Sequence, residues 1–233
     1  MIVSHSEPLA RATVDLAMQM AQGERPEVRI AAGADGGFGT DAAAIAAAID
    51  ELADLEGVLV MTDLGSAALS TDLALDLRES TQPVRISDGP LVEGTTAAFV
   101  RAATGGTLDE VAAEAANALA AKRREEEPST PAPEPAPEPA AAEASAEATL
   151  VNPLGVHSRP AAALARTAGG YDARIRIRNV TADRGPVNGA SLVGLLSLAA
   201  AKDHVLRIDA QGPDAATAVE ELRKLIADGL GEA

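Results

Sequence analysis

The sequence predicts an α/β protein of two domains: a mainly parallel sheet with helices on both faces, followed by a small α+β open-faced sandwich. Up to residue 122, short apolar runs alternate with stretches of helical periodicity, whereas the strands after residue 147 alternate apolar and polar residues. Residues 123–147 are rich in Pro, Ala and Glu and contain no aliphatic residue larger than Ala, so they cannot build a core. We therefore predict domains at 1–122 and 148–233, joined by an extended linker at 123–147.

The first domain is predicted from four short apolar runs with helical stretches between them. The runs that are typical of buried strands are residues 2–3, 28–31, 58–61 and 84–86. Apolar residues at helical spacing predict three core-facing helix stripes: Leu9, Leu16 and Met20; Ile45, Ile49 and Leu52; Leu69, Leu73 and Leu77. A capping box at Thr107 and Glu110 predicts the start of a last helix. Strand and helix alternation of this kind predicts a parallel sheet.

The second domain is predicted from period-two strands. Ile175 and Ile177 alternate with arginines, and residues 206–210 alternate in the same way, as half-buried strands do. Helices are predicted after Pro160 and Pro213, with a shorter apolar one at 191–198. These elements suit an antiparallel sheet covered on one face.

Composition narrows the classes of function. The chain has no cysteine, which excludes disulfides and thiolate chemistry and favours a reducing, cytoplasmic setting. No apolar run approaches the roughly 20 residues of a membrane-spanning helix, and the stretch from Met1 to His5 shows neither the basic region nor the long apolar core that is typical of a secretory leader. Residues 1–122 carry 7 basic and 19 acidic side chains, whereas residues 148–233 carry 10 and 9. Because phosphate contacts need basic patches, we expect no nucleic acid as a partner. The lack of a long apolar run leads us to expect no membrane partner, and we expect no bound metal.

The strongest motif surrounds His157, which follows a turn and directly precedes a helix that Pro160 helps to start. Unpaired backbone N–H groups at a helix start, together with the helix dipole, attract anions, and Arg159 adds a cation. Taken alone, such a motif is better explained by an ordinary N-cap histidine beside a surface arginine. A wider match favours a phosphate site, since residues 148–233 resemble the HPr phosphocarrier family in two phrases: Gly155-Val156-His157-Ser158-Arg159-Pro160-Ala161, and Asn188-Gly189-Ala190-Ser191-Leu192-Val193-Gly194.

That resemblance implies phosphorylation of His157 by enzyme I of the phosphoenolpyruvate-dependent phosphotransferase system, with Arg159 neutralising the phosphate and Ser158 beside it. Ser191 matches a serine that some family members phosphorylate for regulation, although a plain N-cap is the favoured interpretation here. His204 lies in a Lys-Asp-His turn without a partner motif, so we predict an exposed loop residue.

A second histidine, His5, ends the first predicted strand, and Asp63 follows the third. Since functional residues of parallel sheets lie beyond the carboxyl ends of strands, we expect the two side chains to meet. A carboxylate beside an imidazole fixes its tautomer, and a glycine-rich loop at 33–40 brings backbone donors to phosphate oxygens. The alternatives are that these glycines only form turns and that Asp63 only caps a helix.

Residues 1–122 resemble the phosphotransferase subunit of phosphoenolpyruvate-dependent dihydroxyacetone kinase, which has the mannose-type enzyme IIA fold. The phrases that carry the resemblance are Val3-Ser4-His5-Ser6, Gly39-Thr40, Asp63-Leu64-Gly65-Ser66-Ala67 and Leu91-Val92-Glu93-Gly94. The resemblance implies a phosphohistidine at His5 assisted by Asp63, phosphate contacts at Gly39, Thr40 and Ser66, and a homodimer through this domain.

Together the two resemblances imply a phosphotransferase that relays phosphate from His157 to His5. The final acceptor would be ADP bound in a kinase subunit, which then phosphorylates dihydroxyacetone; this chain would bind no nucleotide or other cofactor itself. The implied partners are enzyme I and the nucleotide-binding and dihydroxyacetone-binding kinase subunits. Two alternatives stay open: a mannose-type component feeding a sugar permease, and a regulatory module that binds a partner according to its phosphorylation state.

Overall fold

A computed structural model describes residues 1–20, 25–122 and 142–231. The chain divides into two compact units, Met1–Leu119 and Ala120–Ala233. Most of the predicted linker lies outside the described residues, so we describe each unit by itself.

The first unit contains a four-stranded sheet in the order β2-β1-β3-β4, and every strand pair in it is parallel. The strands are β1 (Ile2–Ser4), β2 (Ile30–Ala32), β3 (Val58–Thr62) and β4 (Val84–Ile86). The helices are α1 (Glu7–Met20), α2 (Ala42–Asp50), α3 (Gly65–Leu77), α4 (Leu91–Ala103) and α5 (Leu108–Ala116), followed by a 3-10 turn at Ala118–Lys122. The predicted parallel sheet is confirmed, as is the capping box at Thr107 and Glu110.

Helices cover both faces of this sheet. One core cluster joins the strands to α2 and α3, and another joins them to α1, α4 and α5. The predicted stripe on α2 is buried: Ile45, Ile49 and Leu52 are at most 2% exposed.

The predicted core stripes on α1 and α3 are wrong. Leu9 and Leu16 are exposed, and so are Leu69, Leu73 and Leu77 along α3. The buried faces consist of smaller side chains: Ala10, Thr13, Val14 and Ala17 on α1, and Ala67, Thr71 and Ala74 on α3. Small side chains let both helices lie close to the sheet, and this leaves the leucines on the outside.

The second unit is an antiparallel sheet in the order β5-β8-β6-β7. Its strands are β5 (Ala144–Thr149), β6 (Arg174–Asn179), β7 (Arg184–Asn188) and β8 (Val205–Gln211), and its helices are α6 (Ser158–Gly169), α7 (Leu192–Ser197) and α8 (Ala215–Ala227). In β6, Ile175 and Ile177 are buried, whereas Arg174 is exposed and Arg176 and Arg178 are half-buried, as expected for a sheet with one covered face.

Strand β5 begins at Ala144, inside the segment assigned above to the linker. Ala and Glu at 144–147 have little strand propensity, but their backbones pair in register with residues 207–210 of β8. Tertiary pairing therefore overrides local preference at 144–147, and the second unit starts earlier than its composition indicates.

Candidate active sites at His5 and His157

The first site lies at the carboxyl edge of the parallel sheet. His5 follows β1, Asp63 follows the adjacent β3, and the parallel pairing of these strands places both residues at one edge. His5 Nδ1 lies 3.0 Å from Asp63 Oδ1, and the backbone N–H of His5 donates to Asp63 Oδ2 at 2.8 Å. The structure thus brings together the two side chains that sequence position alone predicted to meet.

Asp63 accepts two further hydrogen bonds. The hydroxyl of Ser4 donates to Oδ2 at 2.9 Å, and the backbone N–H of Leu64 donates to Oδ1 at 2.8 Å. Burial raises the pKa of Asp63, but the hydrogen bonds from His5, Ser4 and Leu64 outweigh burial and hold the pKa below its ordinary value. Asp63 is therefore an ionised acceptor at neutral pH.

An ionised Asp63 decides the tautomer of His5. Nδ1 must carry the proton that faces the carboxylate, so Nε2 of a neutral ring keeps its lone pair. Ser66, in the first turn of α3, places its hydroxyl oxygen 3.0 Å from Nε2 and must be the donor in that contact. The ring is 23% exposed, so a partner can reach Nε2, the nitrogen that can act as a nucleophile.

The glycine-rich loop reaches His5 through its backbone. Gly39 donates its N–H to the carbonyl of His5 at 3.1 Å, so this N–H positions His5. A Cβ at Gly39 would come 3.0 Å from that of Ala34, with φ at +148°, which explains the glycine. The hydroxyl of Thr40 contacts the hydroxyl of Ser70 at 2.8 Å. Phosphate contacts at Gly39 and Thr40 stay predictions.

The second site lies at the start of α6. His157 is its N-cap residue, with extended backbone and no side-chain capping bond. The first N–H groups of a helix, here those of Ser158 and Arg159, have no partner within the helix, and the dipole favours an anion there. Arg159 is exposed, and no ion pair engages it within the part of the chain that the structure describes. The arrangement provides donors and a cation directly after the histidine.

A braced turn leads into His157. Asn152 donates its side-chain N–H to the carbonyl of Gly155 at 2.5 Å, and Val156 donates its backbone N–H to the carbonyl of Ala200 at 2.8 Å. Gly155 has φ at +66°, and a Cβ there would lie 2.2 Å from the Ala200 oxygen. Only glycine permits this close approach.

Sequence reasoning missed two supporting residues, Ser4 and Asn152, which are both almost fully buried. Ser4 lies inside the quoted motif Val3-Ser4-His5-Ser6, and Asn152 lies three residues before the motif that begins at Gly155, but neither was given a role. A polar residue at an inward-facing position of an apolar strand was the available signal for Ser4.

Two other residues were predicted outside these sites. Ser191 caps α7, accepting the N–H of Gly194 at 2.8 Å, which confirms the N-cap interpretation. His204 was predicted to be an exposed loop residue, and this is wrong: it is half-buried and hydrogen-bonded to Asn179.

The described residues contain no group of three or more His, Cys, Asp or Glu side chains that could hold a metal ion. Among the helices of these same ranges, none combines the length and apolarity that crossing a membrane requires.

Two family models match the chain, one in each unit. Residues 1–112 match the family described as PTS system fructose IIA component, where PTS denotes the phosphotransferase system. Residues 144–228 match the family described as PTS HPr component phosphorylation site. His5 and Asp63 lie in the first match, and His157 lies in the second.

Curated relatives align along nearly the whole chain. The "PEP-dependent dihydroxyacetone kinase, phosphoryl donor subunit DhaM" of Klebsiella michiganensis is 36% identical over 244 residues, which cover 99% of this chain and 50% of the relative. The subunit of the same name in Escherichia coli is 36% identical over 239 residues, with the same two shares. The chain therefore spans about half the length of the curated relatives it matches.

Among solved structures, HPr-C-His from Thermoanaerobacter tengcongensis is 30% identical, covers 39% of this chain and 98% of its own, and has a TM-score of 0.36. The two family matches and the alignment with DhaM subunits over 99% of this chain show that one polypeptide joins a segment similar to PTS IIA components to a segment similar to PTS HPr components.

Proposed function

We propose that this chain relays a phosphoryl group within a phosphoenolpyruvate-dependent dihydroxyacetone kinase. Enzyme I charges His157, His157 passes the group to His5, and His5 passes it to ADP held by a separate kinase subunit. The observation that carries the proposal is the Asp63 contact, which ties up Nδ1 of His5 and leaves Nε2 as a nucleophile. The DhaM relatives are named as phosphoryl donor subunits of such a kinase, which supports the terminal acceptor.

Transfer between the two histidines is a balanced exchange of nitrogen–phosphorus bonds. Nε2 of His5 attacks phosphorus as the bond from the His157 ring breaks, and the departing ring nitrogen takes the electron pair. Phosphorylated His5 keeps its Nδ1 proton and gains positive charge on the ring, which ionised Asp63 stabilises. Positioning and charge neutralisation then supply most of the catalysis.

Charge and exposed apolar side chains support docking of the HPr domain on the enzyme IIA domain. Arg159 is exposed beside His157, whereas Arg166, later in the same helix α6, is half-buried. The first domain carries 19 acidic against 7 basic side chains, and this net negative charge would attract Arg159. Phe38 and Leu64, close in sequence to the His5 contacts, are 86% and 59% exposed, and Leu154 near His157 is 79% exposed. The linker keeps the two domains at an effective concentration of about the millimolar range.

The relay order is tested with enzyme I and labelled phosphoenolpyruvate in the absence of any other HPr. His157→Ala should abolish all labelling, and His5→Ala should leave the label on the second domain. Lys202→Ala, at an exposed position of the second domain, serves as the control and should label like the wild type. Labelling of His5 at a normal rate in the His157→Ala protein would show that the order is wrong.

The structure also offers a surface for the proposed homodimer. Leu69, Leu73 and Leu77 form a stripe at spacing i, i+4, i+8 on α3, and they are 71%, 54% and 54% exposed. A contiguous apolar stripe on a helix is typical of an interface. In light scattering we expect a dimer that Leu73→Glu converts to a monomer. Leu16→Glu, on a helix packed against the other sheet face, should remain dimeric; a wild-type monomer would overturn the dimer proposal.

A further inference from the structure

The third histidine of the chain lies in the loop between α7 and β8. Its Nδ1 is 3.0 Å from the side-chain Nδ2 of Asn179, the last residue of β6, which is fully buried. Buried polar side chains need defined partners, because an unsatisfied one destabilises the fold. The other hydrogen bonds of Asn179 therefore determine which atom donates and which accepts in its contact with His204.

Three contacts determine the orientation of the Asn179 amide. Nδ2 donates to the carbonyl of Leu198 at 2.9 Å, and Oδ1 accepts the backbone N–H of Ala182 at 3.2 Å. Flipping the amide would place two acceptors together at Leu198 and two donors together at Ala182. The NH₂ group must therefore face His204, so Nδ1 accepts the hydrogen bond and the proton of a neutral ring lies on Nε2.

This single amide thus holds both ends of the segment 198–204, which we call the bracing loop. The loop needs support, because Ala199 and Asp203 have φ at +43° and +67°, a strained region for residues other than glycine. Backbone bonds with Leu150 hold the end at His204: Leu150 donates to the His204 carbonyl at 2.9 Å and accepts from Asp203 at 2.8 Å.

The bracing loop meets the turn before His157 at the carbonyl of Ala200. The carbonyl of Ala200 accepts the N–H of Val156 at 2.8 Å, and it lies where a Cβ on Gly155 would clash. Val156 directly precedes His157, so the position of the Ala200 carbonyl determines where the backbone enters the N-cap. A displaced Ala200 would move the imidazole relative to the helix start that receives the phosphate.

We propose that Asn179 and His204 are positioning residues for phosphoryl transfer at His157, acting through the bracing loop. The proposal rests on the proposed relay function of His157. Neither residue touches the phosphate: His204 accepts from Asn179, Asn179 holds the loop, and the loop holds Val156. A misplacement of about 1 Å can slow such a transfer by about 100-fold, so we expect a smaller displacement to slow it by about tenfold.

The test compares variants at His204 in the full chain. His204→Leu removes the acceptor, whereas His204→Asn offers an amide oxygen near the place of Nδ1. Lys202→Ala changes an exposed side chain in the same loop and is the matched control. Initial rates of enzyme I-dependent labelling of His157, measured against chain concentration, should show kcat about tenfold lower for His204→Leu with KM within twofold. His204→Asn should recover most of the loss.

A second measurement needs no phosphoryl donor. Hydrogen exchange of the Val156 amide should be at least about tenfold faster in His204→Leu than in the wild type, and unchanged in Lys202→Ala. Unchanged Val156 exchange, or faster exchange with wild-type kcat, would overturn the positioning role. If Val156 exchange is faster in His204→Leu but the wild type takes no label at His157, the relay is refuted instead. If His204→Leu loses its cooperative melt, His204→Ser, which is too short to reach Asn179, replaces it in both measurements.

Discussion

Replacing Asp63 by asparagine tests the geometry of the His5 site directly. The two carboxylate oxygens accept four hydrogen bonds: Oδ1 from the His5 ring and Leu64, and Oδ2 from the His5 backbone and Ser4. An asparagine has one acceptor oxygen and one NH₂ group. The NH₂ group must therefore face one of these two pairs of donors. Placed toward Leu64, the NH₂ would also face Nδ1 and drive the His5 proton to Nε2, which removes the nucleophilic lone pair.

The other orientation places the NH₂ toward the His5 backbone N–H, since the Ser4 hydroxyl can turn to the Ser6 carbonyl 3.1 Å away. This keeps the ring tautomer but replaces a charged acceptor by a neutral one opposite a ring that gains positive charge. A hydrogen bond to a charged group contributes about 1.5–3 kcal/mol. At about 1.4 kcal/mol per tenfold, we expect transfer from His157 to His5 to slow by roughly 10- to 150-fold in Asp63→Asn.

The assay is single-turnover transfer, followed as loss of label from His157 and its appearance on His5. Asp72→Asn, an exposed carboxylate on the outer face of α3, is the matched control and should transfer like the wild type. A folded Asp63→Asn protein that transfers within threefold of the wild type would refute the role argued for the carboxylate.

Two further predictions follow from the same site. Phosphorylated His5 should lose its label to a soluble kinase subunit holding ADP; discharge to a mannose-type enzyme IIB alone would favour the sugar-permease alternative, and a stable phosphoprotein that merely binds a partner would favour the regulatory one. Because folding holds the pKa of Asp63 below the unfolded value of about 3.9, ionised Asp63 stabilises the fold fully above that pH, and the stabilisation is lost as pH falls through the folded pKa. Urea unfolding at pH 5 and pH 3 should therefore show a smaller drop for Asp63→Asn than for the wild type, and equal drops would contradict this.

The sheet and the pairing of His5 with Asp63 could be predicted because they depend on chain order. Parallel strands that are close in sequence pair side by side, so the residues that follow them meet at one edge. The N-cap position of His157 was equally local, since Pro160 and the preceding turn define the start of α6.

Two features could not be predicted in this way: which face of a helix packs against the sheet, and which contacts join residues far apart in the sequence. The leucines of α3 have helical spacing, yet spacing alone does not say which stripe meets the sheet when the opposite face consists of alanine and threonine. The contact of Asn179 with His204 joins residues 25 positions apart through a loop with two left-handed residues, a geometry that no local pattern encodes.

The alanine face of α3 has a consequence for how the His5 site tolerates change. Ala67 and Ala74 are fully buried against the sheet, and Ser66 stands next to the first of them. The smallest side chains thus determine the spacing between the helix and the strands. Enlarging either alanine would overpack the interface and destabilise the fold by about 1–3 kcal/mol. It would also push α3 outward, and with it the Ser66 hydroxyl that contacts Nε2 of His5. Substitution of these buried alanines therefore reaches the reactive site as well, because a single added methyl group under α3 alters the distance between the Ser66 hydroxyl and the imidazole of His5.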